Sequence, residues 1–411
     1  MKETARIVIV GAGHAGGAAA ALLRQHGHAG PITLIGEEPW VPYQRPPLSK
    51  AYLKDEADAE ALKLRPDAFY AEQDIALRLG TRAEAIDRNR KTVLLQGGEV
   101  PYDVLILATG SSNRKLSFPG ARPDELLELR SLADAERLKS ALGPGRRLAI
   151  VGGGYIGLEA AASARALGAE TTVIELAPRV LARVACEELS AFFEAYHRTR
   201  GVEILTNAQM EDVEHAPDGR LSGVRLADGR TLACDAVLVG VGAMASAELA
   251  RDAGIDCDTG VIVDEAGRTS DPAVWAIGDV TLRPMPHYGG RQHRLESVPG
   301  AVEHARQAVA AILGLPAPPH EVPWFWSDQY DLKLQIAGVP FEADRRVVRG
   351  RIEAAKFAIF HLKDDRVAAV EAVNSPPEFM AGRQLIGQGR RIDPARLADQ
   401  GVSMREVSLL P

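Results

Sequence analysis

Arg6-Ile7-Val8-Ile9-Val10 runs into Gly11-Ala12-Gly13-His14-Ala15-Gly16, then an alanine-rich run, then Ile32-Thr33-Leu34-Ile35-Gly36-Glu37. This order predicts a buried strand, a glycine turn, a helix opened by that turn, a second strand and an acidic end. A dinucleotide needs each part. Gly11 permits the tight turn, Gly13 lets the backbone approach a pyrophosphate, and Gly16 lets the helix lie close to the strand. The helix start offers N–H groups and partial positive charge to phosphates. Glu37 is placed to accept hydrogen bonds from a ribose.

The pattern returns at Arg147-Leu148-Ala149-Ile150-Val151, Gly152-Gly153-Gly154-Tyr155-Ile156-Gly157, Leu158 to Leu167, and Thr171-Thr172-Val173-Ile174-Glu175. A glycine turn that only packs would rarely bring strand, helix and acid with it twice. Two dinucleotide sites are therefore expected. Glu175 also discriminates, because a carboxylate accepts the 2′-hydroxyl of NAD and repels the 2′-phosphate of NADP. That favours NADH, with Arg179 and Arg183 nearby to soften the preference.

Around these two units the chain shows further order. The loop Pro39 to Lys50 is stiffened by prolines and carries Arg45 and Lys50. It reads either as a rigid surface loop with solvated cations or as a lid over an anionic or electron-rich ligand. Leu77 to Glu84 is expected as a short strand and turn, and a hairpin is expected around Gly97-Gly98. The strand Asp103 to Leu107 ends in Ala108-Thr109-Gly110, small residues that let a ligand approach the sheet's carboxyl edge. Ala236 to Gly242, another buried strand that ends in glycines, mirrors it. Ser131 is placed to cap a helix to Leu142. Ala276-Ile277-Gly278-Asp279 reads as a turn or as a carboxylate for a sugar-alcohol chain. A helix is expected from Gly300 to Leu313, with Pro299 in its first turn. After the Pro316 to Pro319 linker comes a third segment of strands and short helices without a phosphate turn.

The 411 residues carry a net charge of −7, which disfavours a nucleic-acid or membrane-surface binder. No apolar run reaches the roughly 18–20 residues of a membrane span. The first strand begins too early for a signal peptide. Cys186, Cys234 and Cys257 are scattered and form no C-x-x-C. A cytoplasmic protein without disulfides and without a metal is expected.

The chain resembles the FAD- and NADH-dependent ferredoxin reductases of bacterial oxygenase systems, within the pyridine nucleotide–disulfide oxidoreductase superfamily. The residues that carry the likeness are Gly11 to Gly16, Arg45-Pro46-Pro47-Leu48-Ser49-Lys50, Ala108-Thr109-Gly110, Gly152 to Gly157 with Glu159, Ala276 to Asp279, and Trp324-Phe325-Trp326-Ser327-Asp328-Gln329. The resemblance implies an α/β fold with two Rossmann-like dinucleotide-binding domains, glutathione-reductase-like, plus a C-terminal α+β domain. The expected boundaries are 1–113 and 246–318 for the FAD domain, 114–245 for the NADH domain and 319–411 for the third.

The resemblance assigns to FAD Gly11, Gly13, His14, Ala15, Gly16, Glu37, Arg45, Lys50, Ala83, Ala108, Thr109, Gly110, Arg130, Gly278, Asp279 and Val298, with Trp326 beside the ring. It assigns to NADH Gly152, Gly154, Tyr155, Ile156, Gly157, Glu175, Arg183 and Gly242. Lys50 and Glu159 flank the flavin as the catalytic pair. Gly36 stands where Glu175 stands in the second copy, which leaves open whether Glu37 or Glu38 takes the first ribose.

The implied reaction moves a hydride from NADH to FAD and then single electrons to a [2Fe–2S] ferredoxin that feeds a cytochrome P450 or a dioxygenase. Disulfide reductases of the superfamily keep a cysteine pair beside the flavin. Here the first cysteine is Cys186, so electrons are expected to leave the flavin directly. A monomer or weak homodimer is expected. The run Arg345, Arg346, Arg349 and Arg351, with Arg390 and Arg391, reads as a ferredoxin-docking patch or as a solvated strand edge. Other readings are a rubredoxin or quinone reductase, and a signalling flavoprotein like the apoptosis-inducing-factor group.

Overall fold

The computed structural model describes residues 4–408. Two compact units share the chain. The first takes the chain through Gln44, Leu62–Ser112 and Met244–Phe325. The second takes Arg45–Ala61, Asn113–Ala243 and the chain from Trp326 onward.

In the first unit five strands lie parallel in the order Val274–Ala276, Val104–Leu107, Ile7–Val10, Ile32–Ile35, Ile75–Arg78. The central strands are apolar on both faces because helices and a hairpin layer cover both. Ile7 and Ile9 pack with Ala19, Ala20 and Leu23 of the His14–Gln25 helix and with Ala305 and Ala308 of Val298–Leu313. Val8 and Val10 face the opposite cluster. Leu77 to Glu84 is not one strand and turn. Ile75–Arg78 closes this sheet, and Ala83–Asp87 opens a separate antiparallel sheet with Thr92–Leu95 and Gly98–Pro101. Leu79-Gly80-Thr81-Arg82 separates them, with Gly80 at φ 61°.

The second unit repeats the plan with Val202–Leu205, Glu170–Ile174, Arg147–Val151, Ala236–Val239 and Leu126–Leu127, again all parallel. The registers match. Val10 lies beside Ile35 and Leu107 in one sheet, and Val151 beside Ile174 and Val239 in the other. The Leu132–Ala141 helix is closed by the expected Ser131, which accepts from the Asp134 N–H while the Asp134 carboxylate accepts from the Ser131 N–H.

The third segment forms an antiparallel sheet in the order Trp324–Gln329, Leu332–Gly338, Arg366–Val373, Lys356–Lys363, Arg345–Arg351. The Pro376–Gln388 helix lies on it so closely that a Cβ at Gly382 would come within 2.6 Å of Val370. Among the described residues no helix is long and apolar enough to cross a membrane.

The arginine run does not present a continuous basic face. Arg349 is buried, with its side chain 6% exposed, and it donates to the carbonyls of Leu397 (3.1 Å), Asp399 (2.6 Å) and Val402 (2.9 Å). Those bonds tie the last short helix to the sheet. Arg346 pairs with Glu188 at 3.2 Å and Arg345 with Asp365 at 3.3 Å. Strand alternation turns Val347 and Arg349 inward, and sequence alone does not say which side is in. Arg349→Met should cost about 3 kcal/mol through lost charge-assisted bonds. The measurable result is faster proteolytic release of the segment after Gln388 and a lower melting temperature.

Candidate dinucleotide sites

In the first unit the glycine turn is shaped by contacts that exclude any larger residue. Gly11 has φ 115°, and a Cβ there would sit 2.1 Å from the Ala108 carbonyl oxygen. A Cβ on Gly16 would sit 1.9 Å from the Gly11 carbonyl oxygen, so the helix approaches its strand along a side without side chains. Gly13 differs, since no atom lies within 4 Å of the place its Cβ would take. It is the N-cap of the helix that begins at His14, with no side-chain cap and no acid in the first turn. The open space and uncapped helix start suit the pyrophosphate of a dinucleotide.

Other expected residues gather at the same carboxyl edge. Ala15 lies against Gly278, whose φ is 77°. The Gly278 N–H donates to Nδ1 of His304 at 3.1 Å. Burial holds that imidazole well below its ordinary pKa, so it stays neutral and keeps a lone pair for the bond. Ser111 donates to Asp279 at 3.3 Å, and Thr109 donates to the Ser246 carbonyl at 2.7 Å beside Gly110. Val298 opens a helix capped by Ser297. Ala83 opens its strand. His304 was not legible as part of this edge, because one histidine in an apolar helix carries no signal.

The acidic ends differ for a local reason. A Cβ on Gly36 would lie 2.6 Å from the Ala12 Cβ. In the second copy Ala12 is replaced by Gly153, and the released space admits Glu175. Glu175 accepts from the N–H groups of Gly153 (2.6 Å) and Ala177 (2.7 Å). In the first copy Glu38 is engaged by the Tyr43 hydroxyl at 2.6 Å. Glu37 is 69% exposed and pairs only loosely with Arg82, at 3.3 Å.

The second turn reproduces the first. Gly152 has φ 108°, and its Cβ would lie 2.4 Å from the Gly240 carbonyl oxygen. A Cβ on Gly157 would lie 2.2 Å from the Gly152 carbonyl oxygen, and Gly154 faces open space. Gly154 caps the Tyr155–Ala166 helix without any side-chain cap. Ile156 is exposed beside it, and the Tyr155 hydroxyl donates to the Val184 carbonyl. The Arg183 guanidinium lies next to Gly242. Arg179 is committed elsewhere. It donates to Ser190 and to the carbonyls of Ala182 (3.1 Å) and Ala185 (2.9 Å). It therefore offers little to a 2′-phosphate.

The second unit also holds the Arg45 to Lys50 loop. Pro46–Ser49 forms a 3₁₀ turn, and Arg45 donates to the Arg130 carbonyl at 2.6 Å. Lys50 is 17% exposed and Glu159 is 3% exposed, with Nζ 2.5 Å from Oε2. Lys50 also donates to the Pro46 carbonyl (3.1 Å) and Ser49 Oγ (3.2 Å). Glu159 accepts in addition from Ser49 (2.5 Å) and Ser327 (2.6 Å). One helical turn on, Ser163 donates to the Ser49 carbonyl and fixes the loop to the helix. The cation and the acid expected to act together do meet. Ser49 and Ser327 lie in stretches that carry the resemblance, but nothing in their spacing directs both hydroxyls to Glu159. Trp326 precedes Ser327 on the Trp324–Gln329 strand and is half-buried.

No reactive thiol stands in reserve. All three cysteines are free, with Cys186 and Cys234 buried. Burial is the first cause that raises each thiol, Cys234 to about 12. Cys186, His361 and Glu371 lie with their donor atoms within 4.8 Å of one another. Glu371 is already engaged there by the Cys186 N–H (3.2 Å) and by His361 (3.1 Å).

Comparison with known proteins agrees with this geometry. Residues 5–305 match the family model for pyridine nucleotide-disulphide oxidoreductases, and residues 324–408 match the reductase C-terminal model. The chain belongs to the pyridine nucleotide-disulphide oxidoreductase family. It is 50% identical over its full length to a probable ferredoxin reductase, CtmF, of Castellaniella defragrans, covering all of that protein. It is 40% identical to putidaredoxin reductase CamA of Pseudomonas putida, across 99% of this chain and 97% of that one. Among solved structures it superposes on the reductase of a covalent putidaredoxin reductase–putidaredoxin complex with a TM-score of 0.95 and 40% identity, covering 98% of each chain.

The contrast between glycines gives a test. Gly13→Ala and Gly154→Ala have room and should fold. They should weaken their own dinucleotide by about tenfold, roughly 1.4 kcal/mol, read by flavin retention for the first and NADH titration for the second. Gly16→Ala and Gly157→Ala should instead fail to fold, or melt well below the parent.

Proposed function

We propose that this chain is an NADH-dependent ferredoxin reductase. It takes a hydride from NADH onto FAD and passes electrons singly to a [2Fe–2S] ferredoxin that serves a cytochrome P450 or dioxygenase. FAD, when bound, accepts two electrons together and releases them one at a time. The observation that carries the reading is the doubled glycine cradle, each with an uncapped helix start, in a chain whose cysteines are free and, for Cys186 and Cys234, buried.

The surroundings of each residue support the part proposed for it. Gly11, Gly13, His14, Ala15 and Gly16 hold the FAD pyrophosphate, and Glu37 takes its ribose. Asp279, steadied by Ser111, accepts from the sugar-alcohol chain. Thr109 and Gly110 let the ligand lie close to the backbone. Gly152, Gly154, Tyr155, Ile156 and Gly157 hold NADH. Glu175 accepts from its adenosine ribose and rejects a 2′-phosphate. Arg183 and Gly242 lie at the same edge. Lys50, held by Glu159, would offer a fixed ammonium to a group on which negative charge develops. The work is expected in the cytoplasm, where NADH is supplied, by a monomer or weak homodimer.

The test is steady-state cytochrome c reduction with NADH or NADPH while candidate ferredoxins are added singly. The expected result is a rate that depends on a [2Fe–2S] ferredoxin and on NADH, with NADPH at least about tenfold poorer. Turnover that rubredoxin or a quinone supports and no ferredoxin does would contradict it. Glu175→Ala should raise the NADH KM about tenfold and narrow the gap to NADPH.

A further inference from the structure

Glu159 is a nearly buried carboxylate, and one cation does not account for all of its contacts. Its Oε2 takes Lys50 and Ser49, and its Oε1 takes Ser327. Behind Ser327 the polar contacts continue into the protein. Ser327 and Gln329 alternate with less buried neighbours on one strand, so both point inward. Gln329 Nε2 lies 3.1 Å from Ser327 Oγ. Gln329 Oε1 lies 2.8 Å from His197 Nε2, and His197 Nδ1 lies 3.4 Å from the Tyr330 hydroxyl. Ser327, Gln329 and His197 are all buried.

We propose that Ser327, Gln329 and His197 are positioning residues for the Lys50–Glu159 pair, a one-way chain of hydrogen-bond donors that holds the Glu159 carboxylate and with it the Lys50 ammonium in place. The significance of Lys50 rests on the reductase reading above, while the chain of donors stands on its own contacts.

The direction follows from counting protons. Burial lowers the His197 pKa to about 4, with Arg200 acting in the same sense, so the ring is neutral and has one donor and one acceptor. The Tyr330 phenol is pushed up to about 12 by burial and keeps its proton, and it is assigned as the donor to Nδ1 because Glu159, at the other end of the row, needs the serine proton. Nε2 therefore carries the ring proton and donates to the Gln329 carbonyl oxygen. The amide nitrogen then faces Ser327 and donates to it. The single serine proton is left for Glu159. With the amide reversed, the serine proton would turn to Gln329, and two acceptor oxygens would face each other at 2.6 Å. Glu159 would then have to take up a proton itself. The orientation of the amide and the charge on Glu159 are thus coupled.

The charged and titratable surroundings are few. Lys50, from the 3₁₀ turn, faces Glu159. Tyr330 and Arg200, the residue that follows the Glu187–Thr199 helix carrying His197, face His197. Arg165 and Tyr196 act on Tyr330, and Asp331 pairs with Arg200 at 3.0 Å.

The test uses the FAD holoenzyme as wild type, Ser327→Ala, Ser327→Thr and His197→Leu. Stopped-flow reduction by NADH and the flavin midpoint potential are each measured against pH. Removing the donor to Oε1 leaves a buried carboxylate oxygen unpaired, and the profiles are compared over the range of about pH 5 to 8. Ser327→Ala should then show an inflection in both profiles that wild type lacks, with the rate at pH 6 about tenfold below its plateau. Ser327→Thr retains the hydroxyl and should restore the wild-type profile, and His197→Leu should repeat the alanine result.

Nitrogen NMR of labelled histidine gives an independent readout in the wild-type protein. The His197 ring should stay neutral with its proton on Nε2 across that range. Superimposable Ser327→Ala and wild-type profiles would overturn the proposal, as would a His197 ring that titrates there or carries its proton on Nδ1. A protein that NADH does not reduce contradicts the reductase reading instead, and the His197 spectrum still decides the chain of donors.

Discussion

The closeness of a helix to the strand before it governs both units. At Gly16 and at Gly157 a single methyl group would collide with the carbonyl oxygen of the turn's first glycine, at 1.9 and 2.2 Å. Because the side chains are missing, the helix starts directly behind the strand's end. Its start opens onto space that no protein atom fills. Unsatisfied donors at a helix start are costly unless something accepts from them. In both units the chain supplies no capping side chain at that point, an arrangement that suits the acceptor oxygens of a phosphate. Registers of the parallel strands follow the same rule in each copy, which is why the small residues after Val104–Leu107 and the glycines after Ala236–Val239 lie at equivalent edges.

The two copies are not interchangeable. The exchange of Ala12 and Gly36 for Gly153 and Glu175 moves one volume from the turn to the strand end. It gives the second site a carboxylate oriented by two backbone N–H groups and leaves the first with Glu37 in the solvent. A rigid acid discriminates between nicotinamide cofactors wherever a ribose meets it, whereas an exposed one contributes less. The commitment of Arg179 to backbone carbonyls removes a cation that would have weakened the discrimination.

Much of this was legible in the sequence, and the reasons for success and failure are physical. Glycine turns announce themselves because only glycine tolerates φ values such as 115° and 108° beside a carbonyl. The Ser131 cap was legible because its bonds are local. Leu77 to Glu84 was misread because a four-residue strand and the start of another sheet have one hydropathy pattern. Arg349 could not be told from its neighbours, since alternation says that every second residue is inside and does not say which. The contacts of His304, Ser49, Ser327, Gln329 and His197 join residues far apart in the chain, and no spacing rule reports such pairs.

The central claim is that the chain carries a flavin that NADH reduces directly, with no thiol in between. The most direct measurement is an anaerobic titration of the purified yellow protein with NADH, with and without prior alkylation of its cysteines. The account predicts one FAD per chain, bleached by one equivalent of NADH, with the same end point after alkylation. A colourless protein that cannot be reconstituted with FAD, or bleaching that alkylation abolishes, would contradict it.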